Sequence, residues 1–330
     1  MVTPRAAKVV TSLAGRSWGN RSFKPILQNK DAAGRIVKCL DKEALDRVIV
    51  ETNPGFGVVT SALLNAGAAD VRVLEYHGNQ TSWKSNFERF FVVLNIGRTK
   101  AVCALQLQGE LRSDFPGQLH LFNCSLEGLD LGKAKKLTYD RVLHGVPKKD
   151  WTDKDSPGYL VSTFNNKYDF KTMFHLLNNC RWQRGLFRWG RFTIIAVCIQ
   201  QLAQKLTATT SGASTMTIAA QLNCHVESLF KIPSSDFSVG SRNQKCFNHD
   251  YDVLKLEPRI KQPFVGCEAF SDSMLLNLTK CKAKTLHITL KNYHPKPKEL
   301  LEKLSIPNKQ VRNATSEELQ RIIVECFEVQ

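Results

Sequence analysis

The sequence predicts an α/β protein of the Rossmann type, with a small helical part at its C-terminal end. Three observations carry that expectation. Arg47-Val48-Ile49-Val50-Glu51-Thr52 is a short β-branched run that meets a turn containing Pro54, Gly55 and Gly57, and Ser61-Ala62-Leu63-Leu64 then reads as helix. After Gly67, placed to cap that helix, Val71-Arg72-Val73-Leu74-Glu75 reads as a second strand ending in an acid. Past Pro258 and Pro263 the chain turns helical in character, and Thr315-Ser316-Glu317-Glu318 has the Thr-x-x-Glu spacing of a capping box ahead of the stripe Leu319, Ile322, Ile323 and Phe327.

The strand, glycine turn, helix and strand form a βαβ unit with the chemistry of a nucleoside cradle. Glycine tolerates positive φ and lets a backbone approach a ligand closely, and a helix start offers free amide groups to it. Glu75 follows the glycines by roughly 20 residues, where a doubly wound fold places an acceptor for ribose hydroxyls. A two-glycine loop and a solvated strand-end charge are the plainer readings of the same residues.

Composition narrows the partners. Lys and Arg outnumber Asp and Glu by 46 to 30 over 330 residues, a formal charge of +16, which suits work on nucleic acid or another anionic surface. No apolar run approaches the ~20 residues that span a bilayer, so no membrane partner is expected. The ten cysteines stand singly without zinc-ligand spacing, so neither a metal site nor a disulfide framework is expected.

Taken in order, the first 30 residues hold Arg5, Lys8, Arg16, Arg21, Lys24 and Lys30 and no acid. That is the composition of an organellar transit peptide or of a basic arm that touches nucleic acid. We take 1–22 as the leader, 23–262 as the Rossmann domain and 263–330 as the helical domain. Ala32 to Leu40 reads as helix, Ser82 to Val93 as an aromatic-bearing crossover helix, and Ala101-Val102-Cys103-Ala104-Leu105 as a third strand leading to Glu110. Leu137-Thr138-Tyr139-Asp140-Arg141-Val142-Leu143 reads as a strand that ends in the loop Gly145-Val146-Pro147-Lys148 at the sheet's carboxyl edge. Arg181, Arg184, Arg188 and Arg191 interleave with Trp182, Phe187 and Trp189, a pattern suited to phosphates and unpaired bases or to a protein partner. Ile194 to Leu206 and Thr215 to Leu222 read as helices, and Val226 to Pro233 with Tyr251 to Leu256 as an antiparallel pair. Six lysines and no acid lie between Lys280 and Lys298.

These residues resemble a known family. Leu27-Gln28-Asn29, Glu51-Thr52-Asn53-Pro54-Gly55-Phe56-Gly57, Glu75, Gly109-Glu110, and Ile218-Ala219-Ala220-Gln221-Leu222 continuing to Pro233-Ser234-Ser235-Asp236-Phe237 are similar to the ribosomal RNA adenine dimethyltransferases of the KsgA type. The resemblance implies a class I S-adenosylmethionine-dependent methyltransferase fold, with Leu27, Glu51, Gly55, Gly57, Glu75 and Glu110 lining the cofactor site. The family's catalytic loop is Asn-Leu-Pro-Tyr, whose Asn holds the adenine amino group and whose Tyr stacks on the flipped base. Aligned on Pro147, this chain reads Gly145-Val146-Pro147-Lys148, which lacks both groups. A degraded loop points to the branch of mitochondrial transcription factor B type, second paralogue. That branch implies a monomer in the mitochondrial matrix nucleoid that joins the single-subunit mitochondrial RNA polymerase in melting promoter DNA. The six Arg and Trp residues Arg181, Trp182, Arg184, Arg188, Trp189 and Arg191 would then contact nucleic acid or polymerase. The alternative is an active or residual N6-adenine dimethyltransferase of mitochondrial small-subunit rRNA.

Overall fold

The computed structural model describes residues 25–55, 57–75, 111–130, 138–165, 169–208, 214–238, 249–260 and most of 274–328. The basic leader, the aromatic segment Ser82 to Val93, the run Ala101 to Leu105 and Glu110 lie outside them.

In chain order the elements are β1 (Ile26–Leu27), α1 (Lys30–Lys38), β2 (Val48–Thr52), α2 (Val58–Asn65), β3 (Asp70–Leu74), β4 (Leu119–Phe122), α3 (Leu126–Asp130) and α4 (Tyr139–Val142). They continue with β5 (Gly158–Phe164), α5 (Asp169–Arg181), β6 (Thr193–Ile199), α6 (Gln200–Thr207), α7 (Thr215–Asn223), β7 (Cys224–Ile232), β8 (Phe237–Ser238) and β9 (Tyr251–Pro258). The chain closes with α8 (Leu286–Leu290), α9 (Pro297–Lys303) and α10 (Ser316–Glu328).

Among the described residues one sheet has the order β4-β3-β2-β5-β6-β9-β7, in which β4, β3, β2, β5 and β6 run parallel, β9 runs antiparallel to β6, and β7 runs antiparallel to β9. Successive side chains of a strand point to opposite faces, and the core divides accordingly. Val48, Val50, Leu160, Ile194, Ala196 and Cys198 belong to one buried cluster, while Ile49, Tyr159, Val161, Ile195 and Val197 belong to the other. With both faces covered, β2 is buried along its whole length, the condition of a central parallel strand.

Helices α8, α9 and α10 build a third core around Leu286, Leu290, Leu300, Leu301, Ile322 and Ile323, and Ile218 and Leu222 of α7 join it. The capping box read at Thr315 forms: its Oγ1 accepts from the Glu318 amide at 3.1 Å, and a Glu318 carboxylate oxygen accepts from the Thr315 amide at 2.7 Å. No helix among the described residues is long and apolar enough to cross a membrane.

Two expectations are corrected. Leu137 to Leu143 was expected as a strand, yet Tyr139 to Val142 is helix, with Tyr139, Val142 and Leu143 buried at spacings of three and four residues. Ile194 to Leu206 was expected as one helix, yet its first half is β6 and only Gln200–Thr207 is helical. A strand buried on both faces shows no alternation, so an apolar run such as Ile194-Ile195-Ala196-Val197 cannot be told from a buried helix by period. For the same reason β5 escapes a reading based on alternation.

Candidate functional site: the cleft at the carboxyl edge

Strand order reverses around β2: the chain leaves it for β3 and β4 on one side, and β5 and β6 lie on the other. Ligands of open α/β sheets bind outside the carboxyl ends of the strands at such a switch point. The loops after β2, β3 and β5 therefore make the site.

The β2 loop is the glycine turn. Gly55 has φ +59° and Gly57 +72°, both in the left-handed region that glycine enters without strain, and the Gly57 amide closes the turn on the Pro54 carbonyl at 3.0 Å. Gly57 is the N-cap of α2, and no side chain caps that helix, so its first amide groups face the turn without a side-chain acceptor of their own. A Cβ on Gly55 would lie 2.4 Å from Cγ2 of Ile26, so β1 packs directly on the turn. Asn53, itself at φ +56°, donates from Nδ2 to the Thr163 carbonyl at 3.2 Å and ties the turn to the end of β5.

Glu51 is buried, and Thr60 of α2 donates to its Oε2 at 2.6 Å. Burial pushes its carboxyl up to about 7; the Thr60 hydrogen bond opposes that shift, and the charge of Glu75 adds to it. Glu75 is half-buried just past β3 and donates its amide to the Phe122 carbonyl at 3.1 Å. Leu27 is buried and pairs with Phe237 across the short β1–β8 ladder. Beside it, Gln28 donates its amide to the Asp236 carbonyl at 2.9 Å, and Asn29 Nδ2 donates to Asp236 Oδ1 at 2.8 Å. Two stretches about 200 residues apart in sequence are thus one structure, and Leu27, Glu51, Gly55, Gly57 and Glu75 come together around the turn.

The chain spans 54% of the length of the bovine protein named mitochondrial dimethyladenosine transferase 1, to which it is 24% identical over 218 residues, 66% of its own length. It is 23% identical over 244 residues to the rat dimethyladenosine transferase 2, mitochondrial, covering 69% of this chain and 54% of that one. In fold it matches a dimethyladenosine transferase from Plasmodium falciparum with a TM-score of 0.56 at 16% identity, over 91% of this chain and 96% of that one. The 23S rRNA methyltransferase ErmE matches with a TM-score of 0.55 at 15% identity, over 92% and 99% of the two chains. No family model matches the sequence. In sequence the chain is similar to mitochondrial dimethyladenosine transferases, and in fold it is similar to a dimethyladenosine transferase.

That likeness puts weight on the loop after β5. Asn165 directly follows β5 and is buried, donating from Nδ2 to the Pro25 carbonyl at 2.6 Å and from its amide to Asp169 Oδ2 at 2.7 Å. It stands next to β1 and beside the glycine turn. In sequence the tetrapeptide is Asn165-Asn166-Lys167-Tyr168, which keeps the first and last residues of the family's Asn-Leu-Pro-Tyr and replaces the middle two. The signal in sequence is an Asn-x-x-Tyr immediately after the largely apolar stretch Tyr159 to Phe164.

Gly145-Val146-Pro147-Lys148 does not reach this cleft. The next residue, Lys149, donates its amide to the Trp189 carbonyl at 2.9 Å, and a Cβ on Gly190 would meet Lys149 at 3.1 Å and Pro157 at 3.3 Å. Pro157 and Gly190 immediately precede β5 and β6, so this loop lies at the amino edge, about 20 Å of strand away from the glycine turn.

The Arg and Trp segment also divides. Arg181 and Trp189 are buried, and Arg181 lies over the Trp182 ring at 4.3 Å. Arg191 donates from Nε to Trp151 O at 2.8 Å, from Nη1 to Pro258 O at 3.2 Å and from Nη2 to Asp153 O. Arg184 and Arg188 alone of the four arginines are exposed, and Arg188 stands 4.0 Å from Asp140. Arg181 is buried, while Arg191 is half-buried and gives its donors to backbone carbonyls. Among the described residues no cluster suits a metal ion.

Proposed function

We propose that the chain holds S-adenosylmethionine against the glycine turn and transfers methyl groups to N6 of adenine in mitochondrial small-subunit rRNA. The observation that carries this reading is Asn165 at the carboxyl end of β5, across the switch point from Glu51. The residues present fit the cofactor: Gly55 and Gly57 leave room for close approach, the start of α2 faces the turn, and Glu75 can accept from ribose hydroxyls. When bound, the cofactor supplies an electrophilic methyl group. The chain's part is orientation: the bond from Asn165 Nδ2 to the Pro25 carbonyl fixes the plane of an amide suited to hold an adenine amino group.

Incorporation of labelled methyl into a small-subunit rRNA hairpin tests the reading. Wild type is expected to incorporate label, and Asn165→Ala to lose it by about 100-fold or more while cofactor affinity stays within about threefold. A wild type that binds the cofactor but leaves the hairpin unlabelled would overturn it.

A second reading is transcription initiation with the single-subunit mitochondrial RNA polymerase at an opened promoter. It is favoured by Asn166-Lys167 where the family has Leu-Pro, since losing proline frees φ in the loop that positions the base. The excess of 46 basic over 30 acidic residues suits either nucleic acid. Exposed Arg184 and Arg188 remain candidate contacts for it, whereas buried Arg181 and Trp189 and carbonyl-bound Arg191 support neither role directly. Under this reading run-off transcription with purified polymerase needs the protein and survives Gly55→Arg; under the first, labelling is lost in that variant.

A further inference from the structure

The structure assigns a second anion-binding site to the amino edge of the sheet, where a cleft takes a backbone phosphate of a nucleic-acid strand. The cleft, about 210 Å³ in volume, lies where β5 and β6 begin and β9 ends, at the opposite edge from the glycine turn. Lys154, Arg191, His225 and Arg259 line it together with the carboxylate-bearing Glu257 and exposed Ile260.

Its charge is built in. Arg191 forms part of the wall with its donors on three backbone carbonyls, and among the described residues no carboxylate pairs with it. Arg259 is anchored from Nε to the Gln221 carbonyl at 2.9 Å, which holds its Nη1 3.5 Å from His225 Nε2. Lys154 adds an exposed ammonium. The lining carboxylate of Glu257 is paired with Lys255 at 2.9 Å, and of the acids near the cleft Asp155 is paired with Arg47 at 3.6 Å and Asp153 accepts from the Asp150 amide at 2.9 Å. Fixed guanidinium groups that give hydrogen bonds to carbonyls keep their full charge, so the cleft presents net positive potential without needing to reorganise. A phosphodiester fits that charge and volume, and an apolar rim residue suits the adjoining sugar. With the cofactor cleft at the other edge, a strand held here crosses the body of the protein before its target base enters the site.

This inference rests on the reading that the chain acts on nucleic acid, and one titration separates the two. Binding of a labelled single-stranded oligonucleotide is measured by anisotropy between 50 and 200 mM salt for full-length wild type, Lys154→Glu, and Lys38→Glu on the exposed face of α1. Wild type is expected to bind, Lys154→Glu to bind about tenfold more weakly with the logarithmic salt slope lowered by about one, and Lys38→Glu to shift affinity less than twofold. His225→Ala, another exposed change, is expected to weaken binding about threefold, which guards against misfolding in the first variant. If wild type binds no oligonucleotide, the nucleic-acid reading falls and this site with it. If wild type binds and both cleft variants keep its affinity and slope, the site alone is overturned. If a free mononucleotide binds the cleft while oligonucleotide binding is indifferent to Lys154, the strand is the wrong ligand and the proposal fails.

Discussion

The two edges of the sheet are made in opposite ways. At the carboxyl edge the site is assembled from residues scattered from Leu27 to Phe237, supplied by several strands and loops and joined by hydrogen bonds such as Asn29 to Asp236 and Asn53 to Thr163. At the amino edge the contiguous run Arg181 to Arg191 is mostly structural, and of it only Arg191 reaches the basic cleft. A conspicuous run in sequence is weak evidence for a binding surface, because burial decides what a side chain can touch. Scattered single residues that meet at a switch point are stronger evidence.

The comparison breaks most severely if the glycine turn is filled. Gly55→Arg adds a Cβ 2.4 Å from Ile26 Cγ2 at a backbone with φ +59°, so β1 must shift away from the turn. Cofactor affinity by calorimetry is expected to fall about 100-fold or more. Gly34→Ala on α1, where a Cβ meets nothing within 4 Å, should leave affinity unchanged and raise stability by up to about 1 kcal/mol. Equal affinities for wild type and Gly55→Arg would remove the turn from the site.

Glu51 gives a smaller, pH-dependent effect. Its carboxyl lies at about 7 in the folded chain against an ordinary value of 4.5, so folding favours the protonated form. The stability this provides is present below pH 4.5 and is lost as pH rises through 7. Glu51→Gln stays neutral at every pH. By urea unfolding it should therefore match wild type near pH 4.5 and exceed it by about 3 kcal/mol at pH 8.5, on the conversion of 1.36 kcal/mol per unit. A difference independent of pH would mean that the carboxyl is not desolvated in the folded state.

The same contrast explains what the sequence reveals. The β2–α2–β3 unit is legible because its signals are local: β-branched strands, glycines with positive φ, and a helix start. The capping box at Thr315 and the antiparallel β7 and β9 are local in the same sense. The strands β5 and β6 are harder, since burial on both faces removes the alternation that distinguishes strand from helix. Reading Leu137 to Leu143 as a strand places Pro147 at the sheet's carboxyl edge, whereas in the structure it is Asn165 that directly follows a strand there. Placing a loop motif depends on knowing which strand precedes it, and that is a property of the sheet.

The smallest effect separates structural from exposed arginine. Arg191→Ala leaves the part-buried carbonyls of Trp151, Asp153 and Pro258 without their donor, so a loss of about 1–2 kcal/mol in urea unfolding is expected. Arg188→Ala removes a guanidinium whose side chain is 53% exposed and 4.0 Å from Asp140, and such a surface pair should change stability by no more than about 0.5 kcal/mol. Arg188 is then free to change nucleic-acid affinity without changing the fold, whereas Arg191 acts on affinity through both the shape and the charge of the amino-edge cleft. If Arg188→Ala destabilised the chain as much as Arg191→Ala, the division of that run into structural and exposed residues would be wrong. The four arginines would then have to be treated as one packed unit with no surface role.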